Sequence, residues 1–239
     1  QNYLPKLCSG EYKAGAFCLT ENTAGSDPAG MKTSAELDGD EYVLNGSKLY
    51  ITSASFADIF VVWAVTDATA PKGKGISCFL VEANTPGITV SKPEDKMGQK
   101  ASPTNEVSFS NCRIPTSAMM GKENKGFGVA VGELAGGRIG IGSLALGIGL
   151  AAMDYARAFI TERKQFGQSI GSFQLMQGKI ADIYTNMNSA RAYVYAVAGA
   201  CDRGEVTRQD ASACVLYSSE KAMEMAVQGV QAMGGAGFL

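Results

Sequence analysis

The sequence predicts an α+β fold in which an antiparallel, β-barrel-like domain is followed by an up-down helical bundle. Residues 15 to about 114 fall into short runs bounded by Gly-, Pro- and Asp-bearing turns, and polar and apolar residues alternate in Glu106-Val107-Ser108-Phe109. That is the period of a half-buried strand. Beyond a linker at residues 121–126, apolar residues recur three or four positions apart, the period of a helix face. No helical pattern separates the strand candidates, which argues for a small barrel or sandwich rather than βαβ units.

In chain order, a short apolar strand begins at Gly15. Strands at residues 33–37 and 41–44 flank the turn Asp38-Gly39-Asp40, and a second turn falls at Asn45-Gly46. Residues 48–52, 59–65, 76–81, 88–90 and 106–109 are the remaining strand candidates. The first helix is expected over residues 128–163, about 50 Å at 1.5 Å per residue, with Leu144, Ile148, Ala151, Tyr155 and Phe159 on its apolar face. The second carries Phe173, Met176, Ile180, Ile183, Met187, Ala190 and Val194. After a turn at Asp202-Arg203-Gly204-Glu205 the third carries Val215, Ser219, Ala222, Ala226, Val230 and Met233. Three long helices suit an up-down bundle, and a set that stops with its third member is expected to be a bundle cut short.

Composition narrows the chemistry. In 239 residues, 46% are hydrophobic and 18% charged, and 21 basic against 23 acidic side chains leave a net charge of -2. That is a globular balance with no basic field for nucleic acid. No run reaches 18 consecutive apolar residues, so no membrane span is expected. Six scattered cysteines without CxxC spacing read as buried or half-buried free thiols. Histidine is absent, which removes Ser-His-Asp and Cys-His nucleophiles and His-ligated metal unless another segment supplies the ring. No metal site is expected, and any chemistry must rest on a carboxylate or a cofactor.

The most informative stretch runs from Gly15 through Phe17-Cys18-Leu19-Thr20-Glu21-Asn22-Thr23-Ala24-Gly25-Ser26 to Asp27. A short apolar strand leads into a loop of hydroxyls, glycine and exposed amides, groups that can converge on a ring edge or a phosphate. The same residues also read as a surface turn capped by Ser26 and Asp27. No GxGxxG is present, so a Rossmann dinucleotide site is not supported.

This segment resembles the first signature of the acyl-CoA dehydrogenases, with Asn22-Thr23 standing where that family usually has Pro-Gly. The resemblance continues in Leu4-Pro5-Lys6-Leu7 through Gly10, in Asn45-Gly46-Ser47-Lys48-Leu49-Tyr50-Ile51-Thr52 and in Lys96-Met97-Gly98-Gln99-Lys100-Ala101-Ser102. It ends with Arg163-Lys164-Gln165-Phe166-Gly167, Gln174 and the run from Gln231 through Gly234-Gly235 to Phe238. It implies three parts. Residues 1–13 are the end of a missing N-terminal helical domain, 14–122 a middle β-barrel domain, and 123–239 a truncated C-terminal helical bundle. The short- or medium-chain-like branch is expected.

The resemblance also implies FAD as cofactor. Phe17, Leu19, Thr20, Gly25 and Ser26 would line its ring and pyrophosphate, with Tyr50 (often tryptophan in relatives) and Thr52 at the ring. Arg163, Phe166, Gln174, Gln231, Gly234 and Gly235 would reach the FAD of a neighbouring protomer. A guanidinium suits pyrophosphate oxygens, and glycine permits close backbone approach; read without the resemblance, Arg163 is an ordinary solvated charge at a helix end. The implied reaction takes an α-proton from an acyl-CoA thioester and passes the β-hydride to flavin N5, giving the trans-2-enoyl-CoA. No catalytic base is assigned within the chain. Most relatives carry it on a loop that would lie beyond Leu239, and the alternative position, just ahead of Arg138, is Gly137. Glu133 reads as a helix-end carboxylate that could lie near the substrate channel. Substrate contacts are assigned to Ser26 and Arg138, the latter also readable as half of an interior ion pair.

The implied partners are an acyl-CoA substrate, further copies of the chain in a dimer or tetramer, and an electron-transferring flavoprotein as acceptor. The implied compartment is bacterial cytoplasm or, in a eukaryote, the mitochondrial matrix. Two other readings stay open: an acyl-CoA oxidase-like flavoenzyme, and a non-catalytic scaffold that binds CoA or flavin.

Overall fold

The computed structural model describes residues 2–239, apart from the side chain of residue 135. The chain divides into two compact units, Gln1–Val131 and Gly132–Leu239.

In the first unit a short helix, α1 (Leu4–Ser9), precedes seven strands: β1 (Gly15–Cys18), β2 (Ser34–Asp38), β3 (Glu41–Thr52), β4 (Ile59–Val65), β5 (Ile76–Glu82), β6 (Ile88–Val90) and β7 (Thr104–Pro115). They form one sheet in the order β1-β4-β2-β3-β7-β6, with β5 added to β4. The β2–β3, β3–β7, β4–β5 and β6–β7 pairs are antiparallel, as expected. β4 departs from that pattern by running parallel to β1 and meeting β2 in parallel at Ser34 and Val65. Both of its faces are covered. Phe60, Val62 and Ala64 join one core with Leu44, Ile51, Phe79 and Val107, while Trp63 joins another with Leu19, Ala24, Met31, Ile76 and Ala130. This two-sided burial accounts for the continuous run Ile59-Phe60-Val61-Val62-Trp63.

One expected turn is absent. Asn45-Gly46 does not reverse the chain; it is an irregularity inside the twelve-residue β3, where the register against β7 shifts between Leu44 and Gly46. Gly46 has φ 148°, and a Cβ there would fall 2.5 Å from Thr33 Oγ1. The glycine admits a neighbouring chain rather than making a hairpin. A second shift, between Lys48 and Ile51, bends the same strand again.

The second unit takes most of α2 (Gly126–Glu162), then a two-residue hairpin of β8 (Lys164–Gln165) and β9 (Gln168–Ser169), then α3 (Gln174–Asp202), α4 (Arg208–Met233) and the single turn α5 (Gly235–Phe238). Thr207 and Asp210 form a reciprocal capping box at the start of α4. The expected α3 stripe is the buried one, through Ile183, Met187, Ala190 and Val194.

The other two stripes are corrected. On α2 the residues facing the core are Ile139, Leu146, Met153, Ala156 and Ile160, while Leu144, Ile148 and Tyr155 are exposed. Between Ile139 and Met153 α2 carries no charged side chain, so periodicity could not choose its inner face. On α4 the inner residues are Cys214, Ser218, Ala222, Met225, Gly229 and Ala232, and all but Ala222 sit one position before the expected ones. Side-chain size decides here. An added Cβ at Gly149 would clash with Met225 Cε, so the glycine leaves room for the buried Met225, and Gly229 packs against the Ala152 carbonyl. By length and hydropathy alone α2 could cross a membrane, but Ile139, Leu146 and Met153 share a core with Ile183, Met187, Cys214 and Met225, as a bundle helix does.

Four cysteines are buried as expected, and two, Cys8 and Cys201, are exposed. Burial pushes the Cys18 and Cys78 thiols up to about 12 and Cys112 to about 11, which leaves them inert as nucleophiles.

Candidate functional site

Each unit carries part of the expected site. In the first, β1 delivers Phe17, whose ring lies 4.3 Å from that of Trp63 and stays 39% exposed. Trp63 is held in turn by its indole N–H, which donates to the Gly126 carbonyl at 2.8 Å. Leu19 points into the core, so only its backbone is available to a ligand. Thr20 is half-buried. Glu21 and Ala24 exchange both backbone hydrogen bonds, closing a tight turn. Past it, Gly25 and Ser26 are exposed with open space around Gly25, and Asp27 is paired with Lys72.

Beside this loop lies the second irregularity of β3. The Leu49 amide donates to the Thr20 carbonyl at 2.8 Å. Tyr50, at φ 58°, swings outward and is 67% exposed. A bulky residue at positive φ is an uncommon, strained conformation that collects at functional positions. Thr52 is also exposed. Thr20 and Tyr50 are thus brought together by one hydrogen bond and one bulge.

Beneath them is a feature the sequence did not reveal. Lys48 is fully buried and Glu21 nearly so, with 2.8 Å between Lys48 Nζ and Glu21 Oε1. Lys48 also donates to the Leu19 carbonyl at 3.3 Å, and the Glu21 carboxylate accepts the Lys32 amide at 2.6 Å and the Thr33 amide at 3.0 Å. Burial alone pushes the Glu21 carboxyl up. The Lys48 ammonium and the donors of Thr33 and Lys32 outweigh it and hold Glu21 below the usual carboxylate range. Burial holds Lys48 below its ordinary value, against the pull of Glu21.

In the second unit, a groove of about 630 Å³ opens where α2, the β8–β9 hairpin, the start of α3 and the end of α4 meet. Arg163, Phe166, Gln231, Gly234 and Gly235 line it together. The Arg163 side chain makes no ion pair or hydrogen bond among the described residues, while its backbone closes onto Phe159 and Ile170. Phe166 and Gly167 are the two residues of the hairpin turn, both at positive φ (53° and 79°). That is a type I′ geometry, in which Asn-Gly is the ordinary occupant. The Phe166 ring is 93% exposed, touching only the edge of Phe173 with 6.0 Å between centroids. Gly234, at φ 59° and ψ -134°, takes a backbone open essentially to glycine alone. Gln174 is exposed at the first turn of α3 and does not line the groove. Arg138 is half-buried, and no ion pair involves it among the described residues. The space around Gly137 is open.

Each unit's donors suit part of a dinucleotide cofactor. In the second unit an unengaged guanidinium, an exposed aromatic face and two glycines share one groove, and in the first a loop of hydroxyls and amides is tied down by Glu21 and Lys48. An I′ turn tipped with phenylalanine has no local reason to prefer that residue.

Residues 16–112 match the acyl-CoA dehydrogenase middle-domain family, and residues 124–239 match the acyl-CoA dehydrogenase C-terminal-domain family. The whole chain is 44% identical to isovaleryl-CoA dehydrogenase, mitochondrial, of Pongo abelii, spanning 56% of that protein. It is also 44% identical to the short-chain specific acyl-CoA dehydrogenase of Clostridium acetobutylicum, spanning 62%. Among solved structures, butyryl-CoA dehydrogenase from Megasphaera elsdenii superposes with a TM-score of 0.95 at 40% identity, the chain covering 62% of it. An acyl-CoA dehydrogenase from Geobacillus kaustophilus superposes with a TM-score of 0.96 at 32% identity over all of this chain and 63% of that one. With both of its units matched, in order, to successive domains of one family, this chain belongs to the acyl-CoA dehydrogenases.

Proposed function

We propose that the chain is the flavin-binding part of an FAD-dependent dehydrogenase that converts an acyl-CoA thioester to its trans-2-enoyl-CoA. The observation that carries this reading is the shared groove of Arg163, Phe166, Gln231, Gly234 and Gly235 in a chain of this family. When bound, the flavin supplies the hydride acceptor for the substrate β-carbon. The residues of this chain bind and orient. Arg163 offers its fork to pyrophosphate oxygens, Phe166 a face to a planar ring, and Gly234 and Gly235 an uncovered backbone. Thr20, Ser26, Tyr50 and Thr52 present hydroxyls and an aromatic edge to the isoalloxazine side, with Gly25 leaving room and Phe17 flanking. In this reading Arg138 steadies the thioester end and Ser26 faces the pyrophosphate and the pantetheine, while Arg163, Phe166, Gln174, Gln231, Gly234 and Gly235 reach the FAD of a neighbouring protomer.

The proton acceptor lies outside residues 1–239 in this reading. Gly137 stands at one of the two positions the family uses, and glycine cannot take a proton. The proposed working form is a homo-oligomer that passes electrons to an electron-transferring flavoprotein, in bacterial cytoplasm or the mitochondrial matrix.

Arg163→Ala in the whole protein tests the nucleotide half of this reading. Losing one charge-assisted contact costs about 1.5–3 kcal/mol, so FAD should dialyse away roughly ten- to a hundredfold more readily. Unchanged flavin retention and oligomer size contradict the placement.

A further inference from the structure

We propose that the buried Glu21–Lys48 pair is a positioning device that sets the flavin loop against the outward-turned Tyr50. The inference rests on the FAD reading above.

Four observations converge. The two charges are buried together 2.8 Å apart, and a buried pair is seldom worth more to stability than apolar residues of the same volume. Its value therefore lies in what it fixes. Lys48 holds the Leu19 carbonyl, and Glu21 holds the Lys32 and Thr33 amides. The pair thus ties both ends of the loop containing Thr20, Gly25 and Ser26 to one strand. Lys48 is also the last residue in register before β3 shifts against β7. The next residue, Leu49, donates to Thr20, and the one after it is Tyr50 at φ 58°. The ion pair pins the loop to β3 at the point where β3 bends, so the separation of Thr20 from Tyr50 is set from below.

Neither side chain is exposed to a ligand, so both act through Thr20, Ser26 and Tyr50. An apolar pair can fill the same volume, but it cannot hold three backbone groups in place. Cofactor affinity is therefore compared only among variants that are folded at the temperature of the measurement.

The test uses the whole protein with Glu21→Leu/Lys48→Met and, separately, the isosteric Glu21→Gln. Melting, far-UV circular dichroism, FAD affinity by equilibrium dialysis and the visible flavin spectrum are measured for each. The double variant removes the partners of the Leu19 carbonyl and the Lys32 and Thr33 amides, so it is expected to melt several degrees lower, and it is assayed at a temperature where its circular dichroism is native. There its FAD affinity should fall at least about tenfold, the cost of misplacing one or two polar contacts, with an altered flavin band shape. Glu21→Gln, held at a temperature where its circular dichroism is native, should show the same FAD loss and keeps the test alive if the double variant does not fold. Native FAD affinity and spectrum in either folded variant overturn the proposal and leave the pair a structural filler. An unsubstituted protein that takes up no FAD overturns the flavin reading itself, and this inference with it.

Discussion

Phe166→Asn separates what the hairpin needs from what a cofactor needs. Phe166 holds φ 53°, and an L-residue in the left-handed region costs roughly 1–2 kcal/mol, a cost asparagine largely avoids. Against this gain stands the edge contact with Phe173, worth about 0.5–1.5 kcal/mol. With the ring 93% exposed, almost no buried area is lost. The net change in stability of the flavin-free protein therefore lies between about half a kcal/mol of loss and one and a half of gain. Cofactor binding should move the other way. An aromatic face stacked on a nucleotide base is worth about 1–3 kcal/mol, so FAD affinity should fall roughly five- to a hundredfold. The assay pairs denaturant unfolding of flavin-free protein with FAD titration by flavin fluorescence. Unaltered FAD affinity refutes the reasoning, and so does a stability loss above about 2 kcal/mol, which would mean that the turn requires the ring for its own fold.

Other outcomes follow from the same geometry. Glu21 titrates below its unfolded value when folded, so the stability it contributes is fully present above the ordinary carboxylate pKa and is lost as pH falls through the lowered one. Glu21→Gln should flatten the acid limb of a stability-versus-pH curve below about pH 4, and an unchanged limb would discount the pair. Gly126→Ala and Gly137→Ala should differ in sign although they lie on one helix. A Cβ at 126 would sit 2.5 Å from the Ser77 backbone, whereas 137 is open. The first should cost about 1–3 kcal/mol or more and the second gain up to about 1 kcal/mol; equal melting points would contradict both.

Much of the fold was legible because it follows from period and punctuation. Strands β4, β5 and β6 stand out as short apolar runs between turn residues, the inner face of α3 repeats at helical spacing, and Asp38-Gly39-Asp40 does turn the chain between β2 and β3. What escaped was set by contacts rather than by local pattern. Asn45-Gly46 carries a hairpin signature, yet Thr33 packs against the glycine and the strand continues. The face of α2 was misplaced because its middle carries no charge to mark an outer side, and that of α4 because glycine, serine and alanine on the buried side carry a weaker apolar signal than the valines beside them. At the site, Arg163, Phe166 and the glycine pair could be named from their motifs. Lys48 could not be recognised as a buried charge, because the register shifts on either side of it erase the alternation that would have marked its inward direction.

Flavin-dependent oxidation of an acyl-CoA is read out by anaerobic mixing. The whole protein, reconstituted with FAD, is combined with butyryl-, octanoyl- and isovaleryl-CoA while its visible absorbance is followed. At least one thioester should bleach the flavin rapidly, and residues 1–239 alone should leave it oxidised. No bleaching of the whole protein by any of them, with FAD demonstrably bound, would contradict the dehydrogenase reading. Rapid bleaching by residues 1–239 alone would place the base inside this chain, with Glu133 the first carboxylate to replace.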